Sequence, residues 1–307
     1  MTTTAQQRYA RKMAEKRQVK AMKNEIELRK QYASNQSKVT MDNALVRARS
    51  DLSLMERRLL VMGISKLDSM PNRVASLTVT ISALEFASTF HIGDATTYAQ
   101  LKETVNTFFE KEVRFKTPVQ LDNEFGEPSG IKVRRQRWVS SIAYVEGEGT
   151  VSMNFAPELR SRLLDIKGHF TSYDLVRIAD LSSSYGYKLF ELISQYKRTG
   201  LCMISVDDFN EAMAVPASYL SNFAFIRNNI ITPAIRDLKE NAKVDVAVKY
   251  EKKGRKISMI KLSFNYYGET NDAIKAEILA NGKAKRKSKK VIEGEYTSVS
   301  DVDDIPF

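Results

Sequence analysis

One order of elements recurs twice along this chain, and that repetition limits the possible folds more than any single motif does. In the first half, SLMERRLLVMGISK (residues 53–66) has helical periodicity, with Leu54, Arg58 and Met62 on one side. A strand-like TVTI (78–81) follows, then a short helix, SALEFASTF, with Ser82 as cap and Glu85 at the capping-box spacing. A longer helix, TYAQLKETVNTFFEKE, begins near Thr97. IKVRRQRWVSSIAYVEGEGTVSMNF then alternates as a hairpin around Gly147 and Gly149. The second half repeats the sequence of events: a helix over 182–198, a strand MISV (203–206), and a short helix starting at Asp207. After Pro216 comes a second helix through IRNNIITPAIRDLKENA, and then a hairpin, VDVAVKYEKKGRKISMIKLSF, turning at Lys253–Gly254. Pro233 fits the first turn of a helix that begins near Asn228 or Asn229, where its missing N–H costs little. Helix, short strand, helix, helix, two-stranded hairpin is the order of a winged helix, a helix-turn-helix flanked by a β-hairpin. The expected fold class is α+β: two tandem winged-helix domains between a basic helical N-terminal arm and a disordered C-terminal tail.

Charge divides the chain further. The net charge of +11 over 307 residues points to a polyanionic partner, but it is unevenly spread. Residues 1–40 form an arm with ten Lys/Arg and three Glu, without Gly or Pro, whose thin apolar stripe is Tyr9, Met13, Met22 and Ile26. The arm reads either as a helix that orders on DNA or a partner, or as a solubilising extension; 34–38 reads as a linker. The body divides into domains at 41–157 and 158–268. The tail, 269–307, carries six basic residues between Lys283 and Lys290, then five acids and no base from Val291 to Phe307. A single cysteine excludes a disulfide scaffold and fits a reducing cytoplasm. No apolar run approaches the roughly 18–20 residues of a membrane span, and no apolar stretch follows the basic N-terminus as in a secretory signal.

Three stretches carry a family resemblance. MDNALVRARSDLSLMERRLLVMGISKLDS (41–69), LSSSYGYKLFELISQYKRTG (181–200) and FIRNNIITPAIRDLKENAKVDVAVKYEKKGRKISMIKLSF (225–264) resemble the initiator replication proteins of iteron-containing, theta-replicating plasmids. The resemblance spans about 41–268. It implies paired winged helices that bind repeated origin sequences as monomers, in equilibrium with homodimers that repress their own gene. It also implies recruitment of the host initiator and replicative helicase in the bacterial cytoplasm. A transcriptional repressor on the same fold, without an origin role, is the alternative.

The residues most suited to reading DNA lie in the second half. Arg227, Asn228 and Asn229 open the expected recognition helix, where Arg can bond guanine O6/N7 and Asn adenine N6/N7. For Asn228 and Asn229 the competing role is that of helix N-cap. Thr232 can offer its methyl to thymine, while Arg236 and Lys239 suit phosphate contacts. Lys252, Lys253, Arg255 and Lys256 make a basic wing. In the first half Thr97, Tyr98, Gln100 and Lys102 open the long helix and can meet an adjacent groove. Lys132 and Arg134 share one face of a basic strand, with Arg135 and Arg137 on the other. The first wing's turn, Glu146–Gly147–Glu148, is acidic, which disfavours phosphate.

Catalysis is not expected, nor is a cofactor or metal. The two histidines, His91 and His169, share no local metal motif with a tyrosine nucleophile, as a nickase would need. The only Gly-Lys pair, Gly282–Lys283, is followed by Ala284 rather than Ser or Thr, so there is no phosphate-cradling loop. Asp207 and Asp208 read as helix-start residues. The final DVDDIPF resembles the acidic tip of bacterial single-stranded DNA-binding protein. That resemblance implies docking onto proteins that recognise such a tail, with Phe307 as anchor, Ile305 and Pro306 beside it, and Asp301, Asp303 and Asp304 steering toward a basic rim. A fold-back of the acidic tip over Lys283–Lys290 is the competing reading.

Overall fold

A computed structural model describes residues 37–70, 76–119 and 130–266. The arm before them, the tail after them and the tip residues Asp301, Asp303, Asp304, Ile305, Pro306 and Phe307 lie outside the described residues.

The first winged unit is built on α2 (Leu54–Ser69), preceded by β1 (Lys38–Asp42) and a single turn, α1 (Asn43–Arg47). A complete capping box starts α2: Ser53 Oγ accepts from Glu56 N–H at 3.3 Å, and Ser53 N–H donates to Glu56 Oε2 at 2.8 Å. Leu59, Leu60, Ile64 and Leu67 bury its inner face. Gly63 lets the wing strands come close, since a Cβ there would meet Met153 Sδ and Phe155 Cζ at 3.0 Å. Then follow β2 (Thr78–Ser82), α3 (Ala83–Thr89), α4 (Asp94–Phe109), β3 (Glu112–Val119), β4 (Gly130–Arg137), β5 (Val139–Val145) and β6 (Thr150–Phe155). Ser82 caps α3, its Oγ accepting from Glu85 N–H at 3.1 Å, and the Glu85 carboxylate pairs with Lys66.

The second unit follows two short segments, α5 (Arg160–Leu163) and β7 (Phe170–Asp174). It comprises α6 (Ser184–Ser194), β8 (Leu201–Ser205), α7 (Val206–Ala212), α8 (Phe223–Ile226), a π turn at Arg227–Ile231, α9 (Thr232–Asn241), β9 (Val244–Lys253) and β10 (Lys256–Tyr266). The repetition is topological as well as sequential. β2–β6–β5 and β8–β10–β9 are both three-stranded antiparallel sheets in which the early strand pairs with the second strand of the hairpin.

Two features depart from the expected order. Residues 131–155 form not one hairpin but parts of two, because β4 turns back onto β3 in its own two-stranded sheet and only β5–β6 is the wing. Lys38 is not linker: it begins β1, which pairs antiparallel with β7, from Lys38 opposite Asp174 to Asp42 opposite Phe170. That pairing ties the first described residues to the segment between the wings.

The units meet through the first helix of each, and the contact is polar. Arg57 on α2 and Glu191 on α6 are both buried, 3.5 Å apart; Tyr173 donates to the other Glu191 oxygen at 3.1 Å, and Arg57 Nε reaches Ser184 Oγ at 3.2 Å. Beside them Lys188 Nζ, also buried, donates to the carbonyls of Val46 at 3.0 Å and Ala48 at 3.3 Å. Burial pulls the Lys188 ammonium down to about 7; the Arg57 charge adds to this and Glu191 opposes it. Between about 7 and the ordinary lysine value the unfolded chain therefore binds a proton that the folded one does not. Stability contributed by this site should rise with pH across that window. Urea midpoints measured from pH 7 to 10 should climb in the wild type, and Lys188→Met should flatten the slope. An unchanged slope would rule out Lys188 as its source.

Candidate nucleic-acid interface

The second unit's recognition element starts earlier than its sequence suggests. Asn222 is the N-cap, its Oδ1 accepting from Ala224 N–H at 2.9 Å, and helical dihedrals continue unbroken from Phe223 to Asn241. Neither Asn228 nor Asn229 is a cap; Pro233 does stand in the first turn of α9, but α9 continues the π turn and α8 without a break, so Pro233 lies ten residues past Phe223. Proline inside an α-helix lacks a donor and collides with the carbonyl four residues back. Here the preceding turn widens: Thr232 N–H bonds to the Arg227 carbonyl, five residues back, and the helix passes Pro233 as a π turn.

Two contacts fix this helix. Phe223 meets Tyr250 of β9 edge-on with ring centroids 5.1 Å apart, seating the helix start on the wing. Arg227 lies on that side too: burial raises the Tyr250 hydroxyl and the Arg227 charge pulls it back. Further along, Asp237 is buried and accepts from the N–H and Oγ of both Ser182 and Ser183 at 2.8–3.2 Å, and from Asn241 Nδ2 at 2.7 Å. Its carboxylate thus ties the start of α6 to the recognition helix. Gly186 leaves the room, since a Cβ there would sit 2.2 Å from Asp237 Oδ2.

With Ile226, Ile230, Ile231, Ala234 and Leu238 turned inward, an exposed face remains. Asn228, Thr232, Arg236 and Lys239 run along it at steps of four, four and three. Arg227 flanks it on the wing side, its Nε 3.2 Å from Asn228 Oδ1. Asn229 is also exposed, its Nδ2 turned back to the Phe225 carbonyl at 3.0 Å. Lys239 shares its charge with Asp245 at 3.4 Å. Among the described residues Arg227 and Arg236 form no ion pair.

The wing splits its charges by alternation. Lys252 shares a face with Tyr250, toward the helix; Lys253 and Lys256 are directly opposite one another on the other face, with Gly254 (φ 66°) and Arg255 at the turn. All four cations are exposed and unpaired among the described residues. Like charges placed directly opposite destabilise a hairpin, so the arrangement favours an anion alongside.

The first unit offers less. Thr97 is not at the helix start, because α4 begins at Asp94; it is fully buried and its Oγ1 donates to the Gly93 carbonyl at 2.9 Å, so it cannot reach a groove. Tyr98 packs on the wing turn at Gly149, which has no space for a Cβ beside the ring. Gln100 is exposed. Lys102 is bound to Glu146 of the acidic wing turn, and that hydrogen bond holds its ammonium above the ordinary value. Lys132 and Arg134 are exposed and unpaired among the described residues but belong to the separate β3–β4 sheet, opposite Thr117 and Phe115. Arg135 and Arg137 on the other face are committed to Glu112 at 2.7 Å and Glu110 at 2.9 Å. Of the first-unit candidates, then, Thr97 is buried and Lys102 is paired, while Tyr98, Gln100, Lys132 and Arg134 remain exposed on two separate elements.

Two exposed apolar residues went unnoticed in the sequence, Phe225 within α8 and Leu220 in the turn before it. Extending helical periodicity back from Arg227 to a cap at Asn222 would have put Phe225 one turn before Asn229.

Residues 38–194 match the family model described as initiator replication protein, WH1, and 205–264 match that of initiator Rep protein, WH2. The PI protein of Escherichia coli is 25% identical over 255 residues, covering 75% of this chain and 83% of that protein. An uncharacterized 27.6 kDa protein of Escherichia coli is 20% identical over 222 residues, 69% of this chain and 88% of its own. The crystal structure of Pi initiator protein in complex with iteron DNA superposes with a TM-score of 0.56 at 20% identity, covering 77% of this chain and all of that one.

Proposed function

The chain belongs to the initiator replication protein family, and from that premise we propose that it initiates replication of a plasmid or phage-plasmid by holding repeated duplex sites at the origin. It assembles host replication proteins there and performs no covalent chemistry of its own. The observation that carries this reading is the exposed line Asn228, Thr232 and Arg236, with Arg227 beside it and an unpaired basic wing alongside. Arg227 and Asn228 serve as base readers. Arg236, Lys239, Lys252, Lys253, Arg255 and Lys256 hold phosphates and set register. Lys132, Arg134, Tyr98 and Gln100 are secondary contacts, and the second unit supplies most of the sequence preference.

Replacing Arg227 by Ala should weaken binding to the origin repeat by about 10- to 100-fold, the value of one bidentate base contact, while leaving binding to unrelated duplex nearly intact. Titration of both DNAs at one salt concentration measures this. Equal losses on the two would reassign Arg227 to the phosphates. A footprint over the flanking DNA tests the wider reading: protected direct repeats beside an AT-rich tract support it, a lone inverted repeat over a promoter points to a repressor, and no sequence preference overturns both.

The reading extends to partners. Recruitment of the host initiator and helicase follows from the family, and the acidic tip ending in Phe307 is assigned to docking on proteins that recognise the single-stranded DNA-binding protein tail. Self-association is assigned to β4. Its outer edge carries no strand among the described residues, and Ile131 and Val133 project from it 66% and 53% exposed. No helix among the described residues is long and apolar enough to cross a membrane, which suits a protein acting on DNA in the bacterial cytoplasm.

A further inference from the structure

Leu220 and Phe225 keep large apolar side chains in solvent, 51% and 47% exposed, next to a face otherwise made of Arg, Asn, Thr and Lys. Burying a phenylalanine is worth roughly 1.5–3 kcal/mol, so leaving one in water invites a partner. Phe225 is also held in place. Its N–H donates to the Asn222 carbonyl at 3.0 Å, its carbonyl accepts from Asn229, and its ring lies 6.1 Å from that of Tyr219 at 36°. It stands one turn before Asn229, on the flank of the reading face away from Arg227 and the wing. Leu220 lies in the turn immediately before the helix cap.

The major groove presents donors, acceptors and one apolar group, the C5-methyl of thymine. A phenyl ring can form no hydrogen bond with a base edge, so its favourable partner there is that methyl. We propose that Phe225, flanked by Leu220, forms an apolar subsite for a thymine methyl at one end of the repeat, beyond the bases read by Arg227 and Asn228. This rests on the reading of residues 223–241 as the DNA-reading helix.

Deoxyuridine differs from thymidine only in lacking the methyl, which makes it a direct probe. Each thymine of one origin repeat is replaced in turn, and the full chain is titrated against each duplex. One thymine, or two adjacent ones, should lose about fourfold in affinity on replacement, the value of one methyl-sized apolar contact. Phe225→Ala should bind the unmodified repeat more weakly by a similar factor and show no further loss at that position. Phe225→Leu, which keeps apolar bulk, should retain the loss, and so should Arg227→Ala. The proposal is overturned if no thymine is sensitive, or if the penalty survives in Phe225→Ala. If the wild type does not prefer the repeat to unrelated duplex, the reading of the helix itself has failed, and that result appears before any thymine is replaced.

Discussion

Glu191→Ala should lower the unfolding free energy by about 3–5 kcal/mol, the usual consequence of stripping a buried charge of its counter-ion. Arg57 is fully buried, and burial holds its guanidinium below the ordinary value, with Glu191 the foremost charge opposing that shift. Without the carboxylate, the arginine keeps hydrogen bonds to Ser184 Oγ and the Ser50 carbonyl among the described residues, and Tyr173 loses its acceptor. A urea titration followed by far-ultraviolet circular dichroism measures the loss. The double variant Arg57→Met/Glu191→Leu should recover most of it, because a well-packed apolar pair of similar volume avoids the desolvation of both charges. If the double variant is as unstable as the single, the pair is needed for shape or register rather than for charge compensation.

Asp237→Ala should cost about 3 kcal/mol or more, since hydrogen bonds to a charged group are each worth roughly 1.5–3 kcal/mol and several are lost together. The damage reaches function because this carboxylate spans two elements. It satisfies the N–H groups of Ser182 and Ser183 ahead of α6, and it anchors the middle of the reading helix. Specific DNA binding should therefore fall even under conditions where the variant remains folded. Asp237→Asn keeps one acceptor oxygen and should lose less. Urea midpoints and affinity for the repeat, measured on the same preparations, separate the two effects; wild-type affinity in a destabilised Asp237→Ala would show that the helix keeps its orientation without the anchor.

Much of this architecture was legible in the chain because its signals are local. Helical periodicity over residues 53–66 marks α2, Gly254 marks the second wing's turn, and alternation of Val244, Val246, Val248 and Tyr250 marks its strand. What escaped depends on partners far away in sequence. β1 is only five residues, and its partner β7 begins with Phe170, over a hundred residues later, so KVTMD carried no turn or hairpin signal. The β3–β4 sheet hid because Arg137, Trp138 and Val139 join two hairpins without a glycine or proline between them. At the candidate site, residue types were readable but their setting was not. Thr97 has the chemistry of a groove contact, but it lies three residues past the start of α4 with its side chain buried. Pro233 does occupy the first turn of α9, but nothing in the sequence signals that a π turn and α8 continue that helix backward to Asn222.

That π turn governs how the two ends of the reading helix are aimed. A turn closed over five residues holds one residue more than α geometry, so all that follows is set back by about 100°, the angle one residue subtends in a 3.6-residue turn. This rotational phase is what brings Ile226 into line with Ala234 and Leu238 on the inner side, and Asn228 into line with Thr232 and Arg236 on the outer. Were the helix to relax to uniform α geometry, the exposed residues of its first and second halves would point in different directions. The π turn before Pro233 thereby fixes the angle between Arg236 and Asn228 on the outer face of the helix.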